Sequence, residues 1–317
     1  MNDPQLMAPL AHFHGQRPPA PEWFTQALAV KPERTSTEIE GVEIEVLTWG
    51  LRGKPGLVFL HGGGAHADWW SFIAPFFAHD YRVVASTFAG MGRSGKRSVY
   101  QYAQFVREAY GAARFGGAFE AGAPVVVGHS FGGRVSMGLA HDHGEELAAA
   151  ILVDPPYFAP QNRRPPNPPR PIKTRQPYAT LEPLVARFHL APPQPCENLY
   201  ILDYIARYSA REVTDEEGRR GFKLSFDPSF WDRFQHVDPE PLLKGARCPL
   251  ALIRGASSKL FGAVDAAHLL SLLPPGAPHV VIPDAHHHVT IDQPLAFVSA
   301  LSALLAGWPS ASAGRRV

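Results

Sequence analysis

Val125-Val126-Val127-Gly128-His129-Ser130-Phe131-Gly132-Gly133 brings three branched apolar residues, a G-x-S-x-G turn and a small-residue helix start together in nine residues. The valines, preceded by Pro124, suit a strand buried on both faces, and the glycines permit a turn too sharp for side chains around it. Such a turn lifts one hydroxyl above the end of a sheet, which nominates Ser130 as a nucleophile. A serine hydroxyl attacks poorly at neutral pH. The turn therefore acquires chemical meaning only beside a base, an acid that orients the base, and donors for an oxyanion.

Outward from that stretch, short apolar runs at 56–60, 82–86, 149–153, 250–253 and 280–282 read as further central parallel strands. Helical patterns at 100–115, 131–140, 264–273 and 293–308 separate most of them, and in the last Leu295, Val298, Leu301 and Leu305 recur at helical spacing. The alternation predicts an α/β fold built on a doubly wound, mostly parallel sheet. Ahead of it, Glu38, Glu40, Glu43 and Glu45 alternate with Ile39, Val42, Ile44 and Val46 around Gly41. This predicts an antiparallel pair with one wet face, beginning at Thr37.

Residues 1–35 read as a Pro-containing N-terminal extension with one short helix over 23–30. The strand-helix rhythm breaks between Pro155 and Pro241, where proline is dense at first and 181–189 and 199–209 carry helical patterns. The chain thus divides into a core domain, 36–154 with 242–317, and a helical cap inserted at 155–241. Arg163, Arg164, Arg170, Lys173 and Arg175 occur there without an acid and read as a solvated loop, with a rim that attracts anions as the alternative.

With 317 residues the chain can bury a sizeable core. Thirty basic against 29 acidic side chains leave a net charge of +1, which argues against nucleic acid or an anionic membrane as partner and favours a small molecule. Homo-oligomerisation is left open. No secretory signal is recognisable in the proline-containing first 30 residues, and the apolar stretch 295–308 contains serines and is short for a membrane span. Cytoplasmic location is the default expectation. Cys196 and Cys248 form no disulfide framework and read as ordinary thiols.

Leu60-His61-Gly62-Gly63-Gly64 follows the 56–60 strand, and backbone amides in a glycine turn can approach a substrate oxygen without obstruction. Alone it reads equally as a flexible turn; upstream of G-x-S-x-G, with each motif following a strand, it reads as an oxyanion site. The base is expected on the loop after the last strand, where Pro283-Asp284-Ala285-His286-His287-His288 lies. Adjacent histidines rarely converge on one ion and no cysteine is near, so a metal site is disfavoured; His141-Asp142-His143 reads as a solvated helix end.

HGGG, a GMGRSG turn over 90–95, VGHSFGG and PDAHHHVTIDQP, in this order, resemble an α/β-hydrolase of the serine-esterase type over about residues 37–308. In that family the base precedes an Asp/Glu-x-Pro helix start by about five residues. Asp292-Gln293-Pro294 then implies His287, with His286 and His288 as alternatives. The resemblance also implies backbone N–H donors at Gly63 and Phe131. The usual site of the acid, after the seventh strand, is Arg254-Gly255-Ala256-Ser257-Ser258-Lys259 and holds no carboxylate. Other members, some dehalogenases among them, resemble a second arrangement in which the acid ends strand six, which implies Asp154. Asp154 also reads as a turn starter before Pro155-Pro156; Asp265, otherwise a helix cap, is its rival, and a degenerate triad is the third reading.

The resemblance implies hydrolysis of a small or medium carboxylic ester, through an acyl-enzyme and without a cofactor. Serine at the nucleophile position disfavours the carboxylate chemistry of dehalogenases and epoxide hydrolases. C–C bond hydrolysis next to a ketone, lactonase, thioesterase and perhydrolase activities would use the same residues, and a non-catalytic ligand-binding member of the fold is the reading from another class. Trp69, Trp70, Tyr157 and Phe158 are candidates to line the pocket, with core packing as their other role.

Overall fold

In the computed structural model, which describes residues 4–162, 176–215 and 217–307, eight strands form one sheet. In chain order they are β1 (Glu33–Ile39), β2 (Val42–Trp49), β3 (Gly56–Leu60), β4 (Arg82–Ser86), β5 (Val125–His129), β6 (Ala149–Val153), β7 (Leu250–Gly255) and β8 (His279–Ile282). Their spatial order is β1-β2-β4-β3-β5-β6-β7-β8, with antiparallel pairing at β1-β2 and β2-β4 and parallel pairing from there on. The chain leaves β3 toward β4 on one side and returns to β5 on the other. The carboxyl ends of β3 and β5 therefore flank a switch point, where open α/β sheets form their crevice.

Each face of the sheet has its own helical layer. Leu57, Phe59, Val125, Val127, Ile151, Val153 and Ile253 face the helix Pro294–Gly307, the 3-10 turns between Ala67 and Phe76, and the helix Leu199–Ser209. Val58, Leu60, Val84, Val126, Ala150, Leu152 and Leu252 face the helices Tyr102–Phe115, Phe131–Asp142 and Ala263–Ser271. Burial on both faces explains why the central strands read as continuous apolar runs.

The first hairpin differs from its expectation. Its pairing around Glu40 and Gly41, both at positive φ, is the anticipated antiparallel register, but β1 starts at Glu33 and β2 is not wet on one face. Ile44 to Trp49 are all buried because β2 lies inside the sheet beside β4. Glu45, read as facing water, is buried against Arg34, and it accepts from the Thr87 hydroxyl at 2.7 Å. The helix expected from residue 100 starts at Tyr102, since Tyr100–Gln101 pair in parallel with Phe234–Gln235.

The inserted segment is not purely helical. It contains the helices Leu181–Ala186, Leu199–Ser209, Phe230–Arg233 and Pro239–Lys244, but also a hairpin of Ala210–Thr214 with Arg220–Leu224. Apart from the buried Gly221 their residues are partly or fully exposed, and they carry Arg211, Glu212, Arg220 and Lys223, so no apolar run announces them. The expected basic loop, Arg163 to Arg175, lies outside the described residues. Near the N-terminus the helix Glu22–Ala29 sets Phe24 against Tyr200, centroids 4.9 Å apart. Among the described residues no helix is long and apolar enough to cross a membrane.

Candidate active site

Ser130 links β5 to the helix Phe131–Asp142 with φ 52° and ψ −117°, a backbone conformation that costs energy for a residue with a side chain. Close packing imposes it. A Cβ on Gly128 would lie 2.2 Å from the Gly132 carbonyl oxygen, and one on Gly132 would lie 2.3 Å from the Leu60 carbonyl oxygen. The two glycines of the motif are thus what lets helix and strand approach closely enough to project the hydroxyl.

His287, on the loop after β8, faces Ser130. Its Nε2 is 2.9 Å from Ser130 Oγ, and its Nδ1 is 2.7 Å from Asp154 Oδ2. Since a carboxylate only accepts, Nδ1 carries the proton, and Nε2 is left to accept from the serine. Asp154 directly follows β6, is fully buried and has φ 43°. Its carboxylate also accepts from the Gly255 N–H at 3.0 Å and the Ser258 hydroxyl at 2.6 Å, while its own N–H donates to Ile253 at 2.8 Å. The last residue of β7 and the loop after it thus supply donors to the carboxylate where the family often places the carboxylate itself.

The backbone of the three histidines is clamped from separate elements. His129 Nε2 donates to the His287 carbonyl at 2.9 Å, Gln194 Oε1 accepts from the His288 N–H at 3.1 Å, and Asp292 Oδ2 accepts from the His286 N–H at 2.7 Å. Burial, with the nearby His287, depresses His129 to about 3, and burial also holds His288 well below the usual histidine range. Both stay neutral at ordinary pH. The His286 side chain lies beside Asp292, its Nδ1 3.5 Å from Oδ2.

The glycine turn packs against the serine, since a Cβ on Gly62 would lie 3.2 Å from Ser130 Cβ. His61, depressed to about 3 by burial, accepts from the Phe88 N–H at 3.0 Å and donates from Nδ1 to the Gly62 carbonyl at 2.7 Å. That carbonyl shares its planar peptide with the Gly63 N–H, so the imidazole fixes the direction of the donor as well. Neither the Gly63 nor the Phe131 N–H donates to another described residue, and the latter opens a helix, where the dipole favours negative charge.

A family model described as the alpha/beta hydrolase family matches residues 57–301. The chain belongs to that family. A curated relative, the 2-hydroxy-6-oxo-6-(2'-aminophenyl)hexa-2,4-dienoic acid hydrolase of Metapseudomonas resinovorans, is 26% identical over 275 residues, covering 84% of this chain and 88% of its own. Among solved structures, E-2-(acetamidomethylene)succinate hydrolase aligns with a TM-score of 0.69 at 20% identity, over 87% of this chain and 99% of that one. An esterase of M. tuberculosis aligns with a TM-score of 0.63 at 20% identity, over 96% and 99%. At such identities these structures show the hydrolase fold.

The remaining candidates separate. Asp265 makes no hydrogen bond to His287; its Oδ1 accepts from the Ala159 N–H and the Asn162 side chain, both at 2.8 Å, and so pins the chain that leaves Asp154. Two of the expected pocket aromatics are core residues instead. Trp70 stacks on Phe59 at 4.5 Å, and Tyr157 is wholly buried with its hydroxyl 2.6 Å from His268 Nδ1. Trp69 lies beside the His288 ring, 5.6 Å between centroids, and Phe158 is exposed. A cleft lined by Pro192, Pro193, Pro195, Lys259 and Leu260 opens onto His287. Among the described residues no group of three or more His, Cys, Asp or Glu side chains could hold a metal. Gln194 and Ser258 carry no motif of their own in the sequence, and His129 stands inside G-x-S-x-G without a role read for it; the hydroxyls at 257–258, in the stretch where a carboxylate is missing, offered a signal.

Proposed function

We propose that this hydrolase cleaves small or medium carboxylic esters through an acyl-enzyme on Ser130. The supporting observation is the unbroken line of hydrogen bonds Ser130–His287–Asp154, at 2.9 and 2.7 Å. Ser130 Oγ attacks the carbonyl carbon as its proton passes to His287 Nε2, and Asp154 stabilises the imidazolium. The tetrahedral oxyanion accepts from the Gly63 and Phe131 N–H groups. His287 then protonates the departing alkoxide. In the second half, water attacks the acyl carbon, gives its proton to His287, and Ser130 recovers that proton as the acid leaves.

A fluorophosphonate probe is expected to label the wild-type protein and not Ser130→Ala; an unlabelled wild type, under conditions that label a known serine hydrolase, sinks the reading. The base is tested by its neighbours. His287→Ala is expected to lower ester turnover at least about 10²-fold, the scale of general base catalysis, whereas His286→Ala retains substantial turnover. The reverse ranking in steady-state kinetics would move the base by one residue. Hydrolysis of a C–C bond next to a ketone is the second reading, favoured by the relative that matches 84% of the chain. Esters, lactones and vinylogous diketones assayed side by side distinguish the two.

A further inference from the structure

Trp231, on the short helix Phe230–Arg233, is the largest side chain among the described residues of the inserted segment and is 48% exposed. It reaches over the glycine turn: a Cβ on Gly63 would lie 2.7 Å from its Cζ2 and 3.0 Å from its Cη2. Phe131, Phe230 and Phe234 meet the indole at centroid distances of 6.2, 4.8 and 6.0 Å and interplanar angles of 89°, 86° and 86°. All three are perpendicular to it. Among the described residues no ring stacks on an indole face.

The segment that presents this indole is held in place. The Asp227 N–H donates to the Gly90 carbonyl at 2.7 Å, the Tyr100 hydroxyl donates to Asp227 Oδ2 at 2.7 Å, and Phe234–Gln235 pair with Tyr100–Gln101. Phe230 is wholly buried. A fixed scaffold thus holds a half-exposed indole beside the glycine turn, with apolar area that a bound ligand can still bury.

We propose that Trp231 is a specificity-determining wall of the acyl site and selects substrates whose acyl group is flat, either aromatic or conjugated with the carbonyl. This rests on the acyl-enzyme reading above. The leaving oxygen must take a proton from His287 Nε2 and so faces that imidazole. Trp231 stands instead over Gly63 and against Phe131, and it is not among the ring neighbours of His287, which are His129 and His288. What extends over the indole is therefore the acyl substituent. A planar group conjugated with the carbonyl can stack on the indole face, where a saturated chain makes fewer contacts and lacks the complementary quadrupole. Gly63 belongs to the same device, because its missing side chain is the space the indole occupies.

The test uses p-nitrophenyl cinnamate and p-nitrophenyl butyrate, which share a leaving group, with the full-length wild type, Trp231→Ala and Trp231→Phe. The cinnamate-to-butyrate ratio of kcat/KM is expected to fall about tenfold in Trp231→Ala and to be largely restored in Trp231→Phe. An unchanged ratio overturns the proposal. Calorimetric binding of free cinnamate supplies a readout that needs no turnover: it should be about tenfold weaker in Trp231→Ala than in wild type. Equal binding, or none to wild type, overturns the role of Trp231. Binding that depends on Trp231 in a protein that hydrolyses neither ester sustains the wall and sinks the ester reading.

Discussion

Asp154→Asn is expected to lower kcat for an ester about 10⁴-fold while leaving the fold intact, whereas Asp265→Asn retains most of the turnover. An amide whose oxygen takes the Oδ1 place still accepts from the Gly255 N–H, and the Ser258 hydroxyl can turn to accept from the NH₂ that replaces Oδ2, so the buried packing survives. It cannot stabilise a developing imidazolium, and it can present its NH₂ to Nδ1, which turns the ring to the tautomer that has no free acceptor for the serine proton. Asp265, by contrast, accepts from Ala159 and Asn162, and an asparagine can keep accepting through its carbonyl. Steady-state rates of the two variants, with thermal melts to confirm folding, decide between them. Loss of turnover in Asp265→Asn alone would refute the assignment of the acid.

Stability is expected to fall by about 4 kcal/mol between pH 8 and pH 5 through two buried imidazoles. His61 and His129 are each depressed to about 3 by burial, against about 6.5 in an unfolded chain. At pH 5 the unfolded chain is protonated at both positions and the folded protein at neither. Their contribution is thus complete above about pH 6.5 and is lost as the pH falls toward 3, at about 2 kcal/mol each by pH 5. His288, held well below the histidine range by burial, adds to the fall, while Glu108 and Asp292, raised by burial, work in the opposite direction. The difference between wild type and His129→Gln isolates one share: urea unfolding should show the variant losing about 2 kcal/mol less between the two pH values. An identical pH dependence in both proteins would contradict a neutral, buried His129.

What was legible in the sequence follows from how local each signal is. The strand Val125–His129, the turn at Ser130 and the helix behind it are encoded within a few residues by valines and closely packed glycines. Asp154 came through the resemblance to members whose acid ends strand six, with Asp265 left as its rival, and the recognisable strand before it marked where that end falls. The hairpin within the insertion was not legible: its strands are half-exposed and charged, so alternation never becomes an apolar run. Glu45 misled for the related reason that its charge is matched by Arg34, far from it in the chain's local pattern and adjacent only across the β1-β2 pair. Trp70 and Tyr157 stand near strand ends in sequence, yet tertiary packing turns both into the core. Ser258 and Gln194 reach Asp154 and His288, and Trp231 reaches the glycine turn, through contacts made across distant stretches, which no spacing rule reports.

Ser130, His287, Asp154 and the glycine turn all come from the ends of core strands or the loops that follow them, whereas the indole is contributed by the insertion and reaches them from outside. On the proposed role of Trp231, the groups that move protons and the ring that sorts substrates therefore lie on different pieces of chain. A substitution at position 231 is thereby separable from the proton path, whereas Phe230 and Phe234 beside it belong to the core that carries Phe131.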